Sequence, residues 1–104
     1  MFTDVPEAIV VRLSGQVLNG EALRTVVLTP DTQGAPMLYL DLGNVCVATA
    51  EGLGALVHLN CDVRARGGKT VLLNVTTDVY EVFEATRLVT VLDVRPLVVP
   101  VVEG

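Results

Sequence analysis

Residues 37–42, Met-Leu-Tyr-Leu-Asp-Leu, form a nearly unbroken apolar run with Pro36 before it and Gly43 after it. This is the pattern of a central strand covered on at least one face. Around it the chain alternates between short β-branched runs and helical spacings. Residues 8–13 read as a first strand that ends at Ser14-Gly15, and residues 16–18 as a short second one. Asn19 is placed to cap a short helix carrying Leu23, Val26 and Val27, which Pro30 stops, and a loop over 31–36 follows.

After the central run a helix is expected to begin near Glu51. Leu53, Leu56, Val57 and Val63 share one of its faces, interrupted by Asn60, and Gly67-Gly68 supply the left-handed cap at its end. Residues 71–75 form the next strand. Thr76 or Asp78 caps a third helix, with Glu81 three residues after Asp78 as in a capping box, and Val79, Val82 and Phe83 face inward. A last strand is expected over 89–94. Strands alternating with helices predict an α/β fold: a small mixed β-sheet of four or five strands, with helices packed mainly on one face. The 104 residues make one domain, 1–104, with a core over about 8–94 and an apolar tail over 95–104. Pro96 and Pro100 limit that tail to an edge strand or an extended packing arm, on its own domain or in a dimer or partner contact.

Charge and residue counts narrow the function classes. The net charge of −5 disfavours nucleic acid, whose phosphates would be repelled, so a protein partner is expected. No apolar run is long enough to span a bilayer, and the first residues lack a basic segment followed by an apolar one, so a cytoplasmic location without membrane insertion is expected. Cys46 and Cys61 have no second pair and no histidine beside them, which argues for two reduced, mostly buried thiols and against zinc or redox chemistry. His58 is the single histidine, so no histidine cluster exists to hold a metal, and no cofactor is expected.

Isolated motifs give little chemistry. Gly68-Lys69-Thr70 spells the end of a phosphate-binding loop, but position 63 is Val63 where that loop needs glycine, and the order is helix then strand. His58 and Asp62 lie one helical turn apart on the solvent side, with no nucleophile nearby in sequence. Asp41 at a strand end reads as a turn carboxylate. No nucleophile, base and orienting group can be assembled, so an enzyme is not expected.

The order of Leu-Tyr-Leu-Asp-Leu at 38–42, Gly-Leu-Gly at 52–54, Arg-Ala-Arg-Gly-Gly-Lys at 64–69, Val-Leu-Leu-Asn-Val at 71–75 and Val-Phe-Glu-Ala-Thr-Arg-Leu at 82–88 resembles STAS domains, the anti-sigma-factor antagonists and their relatives. The resemblance runs from about 8 to 94. It implies a non-catalytic regulatory module that docks on an anti-sigma-factor kinase through the loop and helix start at 48–57. The partner-binding residues it points to are Thr49, Ala50, Glu51, Gly52, Leu53 and Gly54. It also implies a phosphorylated serine just before Gly-Leu-Gly, yet without a gap that position is Ala50, between Thr49 and Glu51. Ser14 is the only serine in the chain, so serine phosphorylation at this motif is impossible.

A helix N-terminus offers unpaired N–H groups and roughly half a positive charge, which is why a phosphate is stabilised there. Thr49 is the remaining candidate phosphoacceptor, one position early. Glu51 brings a permanent negative charge to the first turn, either as a simple dipole contact or as a fixed imitation of the phosphorylated state. Two further departures are Arg87, where the family often has glycine after the third helix, and the lack of an acidic residue near Leu18. The alternative implied by the same resemblance is a non-phosphorylated accessory subunit of an ABC-transporter ATPase or of a stress-signalling assembly. Either module would be a monomer or a weak homodimer.

Overall fold

The computed structural model describes residues 8–26 and 37–97. In chain order they form β1 (Ala8–Arg12), β2 (Val17–Leu18), β3 (Met37–Asp41), β4 (Val47–Ala48), α1 (Ala50–Ala65), β5 (Lys69–Val75), α2 (Thr77–Ala85) and β6 (Asp93–Pro96). Short 3-10 turns occupy Ala22–Thr25 and Leu88–Thr90. The expectations for Val27, Pro30, the 31–36 loop and the tail beyond Leu97 fall outside the described residues.

The main sheet has the order β1-β3-β5-β6, and β2 and β4 make a separate two-stranded ribbon. Every pairing among the described residues is parallel, where a mixed sheet was expected. The helical connections after β3 and β5 return the chain to the end it started from, so each next strand enters in the same direction. The order is also monotonic. Right-handed crossovers repeated in one sense lay α1 and α2 on the same face of the sheet. Burial follows this geometry: Leu38, Leu40 and Leu72 on the covered face are 0% exposed. On the opposite face the row Val10, Tyr39 and Val71 runs from 69% exposed at the β1 edge to 1% at Val71 inside the sheet.

The core joins these leucines to Leu18, Val45, Leu56, Val63, Val79 and Phe83. Phe83 is wholly buried and anchors α2, and truncating such a side chain typically costs about 3–5 kcal/mol. Both helices owe their limits to local chemistry. α1 starts one residue before the expected Glu51. It ends in a Schellman arrangement, with Gly67 N–H donating to the Arg64 carbonyl and Gly68 N–H to the Val63 carbonyl, both at 2.9 Å. Gly67 takes φ of 80°, which only glycine adopts without strain.

Other expectations are corrected. The predicted capping box does not form, because α2 begins at Thr77 and places Asp78 inside the first turn. Thr76 occupies the cap position, but its hydroxyl donates to the Val45 carbonyl at 3.0 Å and so ties α2 to the loop before β4. The last strand is later than expected: residues 88–90 turn first, and the strand runs through Pro96. β6 tolerates that proline because it is the sheet edge. Cys46 and Cys61 are exposed rather than buried. The buried stripe of α1 runs through Gly52, Leu56, Asn60 and Val63, and Cys61 lies on the solvent side of the helix. Asp41 does act as a turn carboxylate, accepting from Gly43 N–H at 2.9 Å.

Two features of this frame yield measurable outcomes. Arg87 follows α2 with φ of 61°, a left-handed conformation that costs a side-chain-bearing residue roughly 1–2 kcal/mol. Arg87→Gly relieves that strain but enlarges the freedom of the unfolded chain, so urea unfolding should show a net gain of about 0.5–1 kcal/mol. At the β5–β6 seam Asp93 lies 3.0 Å from Lys69 Nζ and 3.4 Å from Arg95 Nη2. Hydrogen bonding from Arg95 first, and from Lys69 next, holds its carboxyl below the ordinary 3.8. Stability from such a group is present above its unfolded value and is lost as pH falls through the folded one. Asp93→Asn should therefore lose stability less steeply than the native chain when urea midpoints are followed below about pH 4.

Candidate binding surface at the start of helix α1

Thr49 joins the β2–β4 ribbon to α1, and every polar group it owns is engaged. Its N–H and its hydroxyl both donate to the Leu18 carbonyl, at 3.0 Å each. The same hydroxyl oxygen accepts from Gly52 N–H at 3.0 Å, the bond that defines an N-cap. Its carbonyl accepts from Leu53 N–H at 2.9 Å, the first bond of the helix. Thr49 has extended backbone angles, φ −89° and ψ 158°, as a cap residue should.

Gly52 completes the joint. It is buried, and a Cβ built on it would overlap the Leu18 carbonyl, so α1 can lie against β2 only with a hydrogen at this position. The six predicted residues thus divide by geometry. Ala50, Glu51 and Gly54 are exposed, Thr49 and Leu53 are half-buried, and Gly52 faces its own strand. Gly54 has open space where a Cβ would be. The Glu51 carboxylate folds back over Gly20, in the loop after β2, and its charge sits in the first helical turn where the macrodipole favours it.

The ribbon extends this surface. Val17 and Val47 are register partners in β2 and β4, and they stay 40% and 54% exposed. Sequence reasoning places Val17 in a short strand over 16–18 but gives neither its exposure nor a strand at Val47, since a two-residue strand is too short to show any period. Cys46, next to Val47, is exposed on the same stretch.

His58 and Asp62 are both exposed on α1, and no ion pair among the described residues joins them. A groove of about 580 Å³ runs beside β1 and β2 between Val11 and Ala22, with Arg12, Ser14 and Glu21 on its described walls. Among the described residues no group of three His, Cys, Asp or Glu could hold a metal ion, and no helix is long and apolar enough to cross a membrane.

The parallel sheet with helices on one face and the capped, partly exposed start of α1 define a small α/β module. The sequence matches the family model for the STAS domain over residues 2–99, and the chain belongs to that family. A search of curated proteins gives no match. Among solved structures the fold is similar to that of the murine Solute Carrier 26 family member A9 anion transporter in the inward-facing state, at 19% identity and a TM-score of 0.66. The likeness covers 92% of this chain and 17% of that one.

Two substitutions test the joint. Thr49→Ala removes the cap and a bond to β2 and should cost about 1–2 kcal/mol in urea unfolding, while Thr49→Ser should recover most of the loss. Gly52→Ala gains up to about 1 kcal/mol of helix propensity, but the clash with backbone outweighs it, and a net loss of about 1–3 kcal/mol is expected by the same measurement.

Proposed function

We propose that this STAS domain is a non-catalytic, cytoplasmic protein-binding module that docks on an anti-sigma-factor kinase through the start of α1, in the manner of an anti-sigma-factor antagonist. The observation that carries this reading is the exposed Val17–Val47 pair beside the exposed Ala50, Glu51 and Gly54. A small apolar ridge next to a charged, capped helix end suits a modest protein interface with an apolar centre and a polar rim.

The switch expected of such a module is altered here. Ala50 has no hydroxyl to phosphorylate. The Thr49 hydroxyl is committed to Leu18 and Gly52, so transferring phosphate to it would require breaking the cap that starts the helix. Thr49 is therefore read as a structural cap, and Glu51 as a constant charge that tunes affinity without any modification. The module is a fixed binder, and regulation falls to its partner or to its abundance.

A second reading draws on the likeness to the murine anion transporter, of whose chain the match covers 17%. In it the domain is a non-phosphorylated accessory subunit of a transporter assembly, such as one driven by an ABC-type ATPase.

Affinity capture with the tagged full chain from its native cells separates the two. Recovery of an ATPase-fold kinase supports the first reading, recovery of a transporter ATPase supports the second, and capture of neither class overturns both. With the kinase in hand, Val47→Glu should weaken the complex at least about tenfold without lowering the unfolding midpoint. Ala50→Ser should gain a single phosphate by intact mass when incubated with the kinase and ATP.

A further inference from the structure

We propose that the crevice between the second half of α1 and the start of β5 binds a small oxyanion. A cavity of about 190 Å³ opens there, with Asn60, Arg64, Lys69, Thr70 and Asp93 on its walls. Along α1 it lies about 20 Å from Thr49, so it is separate from the docking surface and does not depend on that reading.

Two polar side chains are sunk into an otherwise apolar core at this point. Thr70 is 1% exposed and Asn60 4% exposed. Thr70 pairs in register with Leu38, which places it on the helix-covered face of the sheet. Asn60 lies on the buried stripe of α1 between Leu56 and Val63. The Thr70 hydroxyl has no hydrogen-bond partner. Valine would fill the same space without burying an unmatched donor, so a threonine here is a cost to folding unless something in the cavity accepts its proton.

The charges around the opening specify what that something is. Arg64 sits one helical turn after Asn60 and forms no ion pair with any described residue. Lys69 adjoins Thr70. The single carboxylate, Asp93, is already shared by Lys69 and Arg95. On the cavity walls two cations, Arg64 and Lys69, stand against one carboxylate that Arg95 also neutralises, which leaves a local positive excess in a chain whose net charge is −5. The unused groups are donors: the Asn60 amide, the Thr70 hydroxyl and the Arg64 guanidinium. A planar guanidinium and neutral donors lining one crevice are suited to phosphate or carboxylate oxygens. The volume is that of roughly six waters, enough for a phosphate-sized group with part of its hydration.

The test is a titration of the full chain with inorganic phosphate at constant ionic strength, followed by amide nitrogen–proton NMR, with sodium acetate as a parallel arm. Saturable shifts confined to the Asn60 side chain and to residues 64 and 69–70 are expected, with phosphate the tighter of the two ligands. Saturation by acetate as tightly as by phosphate would still support an oxyanion site and assign it to carboxylates. Arg64→Gln, on the exposed rim, should weaken binding at least about tenfold. Thr70→Val should weaken binding while raising the unfolding midpoint. Non-saturating shifts in both arms, or shifts spread over all surface cations and unchanged in Arg64→Gln, would overturn the proposal and leave a water-filled crevice.

Discussion

The contact between Thr49, Gly52 and the Leu18 carbonyl governs the geometry of this domain. One carbonyl receives both the N–H and the hydroxyl of Thr49, and the helix axis is held against it by a residue with no side chain. The bonds are ordinary in strength. Their importance comes from position, because they fix α1 to the β2–β4 ribbon at its first turn, while β5, reached through the glycine cap at the helix's other end, carries the chain into the sheet. A helix fixed at both ends can present its exposed residues to a partner with little entropic loss.

Much of this was legible in the sequence. The apolar run at 37–42, the glycine pair at 67–68 and the inward set Val79, Val82 and Phe83 each carry a strong local signal, and each forms the element it predicts. What failed depended on tertiary geometry. The capping role of Asp78 was lost because Thr76 bonds to Val45, a residue far away in the chain. The exposure of Cys46 and Cys61 reflects helix and loop orientation, which composition does not encode. The parallel arrangement of the sheet followed from the crossovers rather than from any strand's own residues.

The candidate surface shows the same division. That α1 begins just before Gly-Leu-Gly could be read from spacing, but spacing treats Gly52 and Gly54 alike. In three dimensions one packs against a backbone carbonyl and the other has open space beside it. Likewise Asn60 announced itself as an interruption in an apolar stripe, whereas its sharing a cavity with Thr70 required the packing of α1 on β5. Polar residues that break a helical pattern are thus informative even when their partners are hidden.

The monotonic strand order has a mechanical consequence. Among the described residues β1 and β6 are the two edges of the sheet and run in the same direction, so Ala8 lies at the foot of one edge and Pro96 at the head of the other. Tension applied between Ala8 and Leu97 pulls these strands along their lengths in opposite senses, which shears each against its neighbour. The ladder bonds at each edge then carry the load together instead of opening one by one. A domain wired this way transmits force from one attachment to the other across the full width of its sheet.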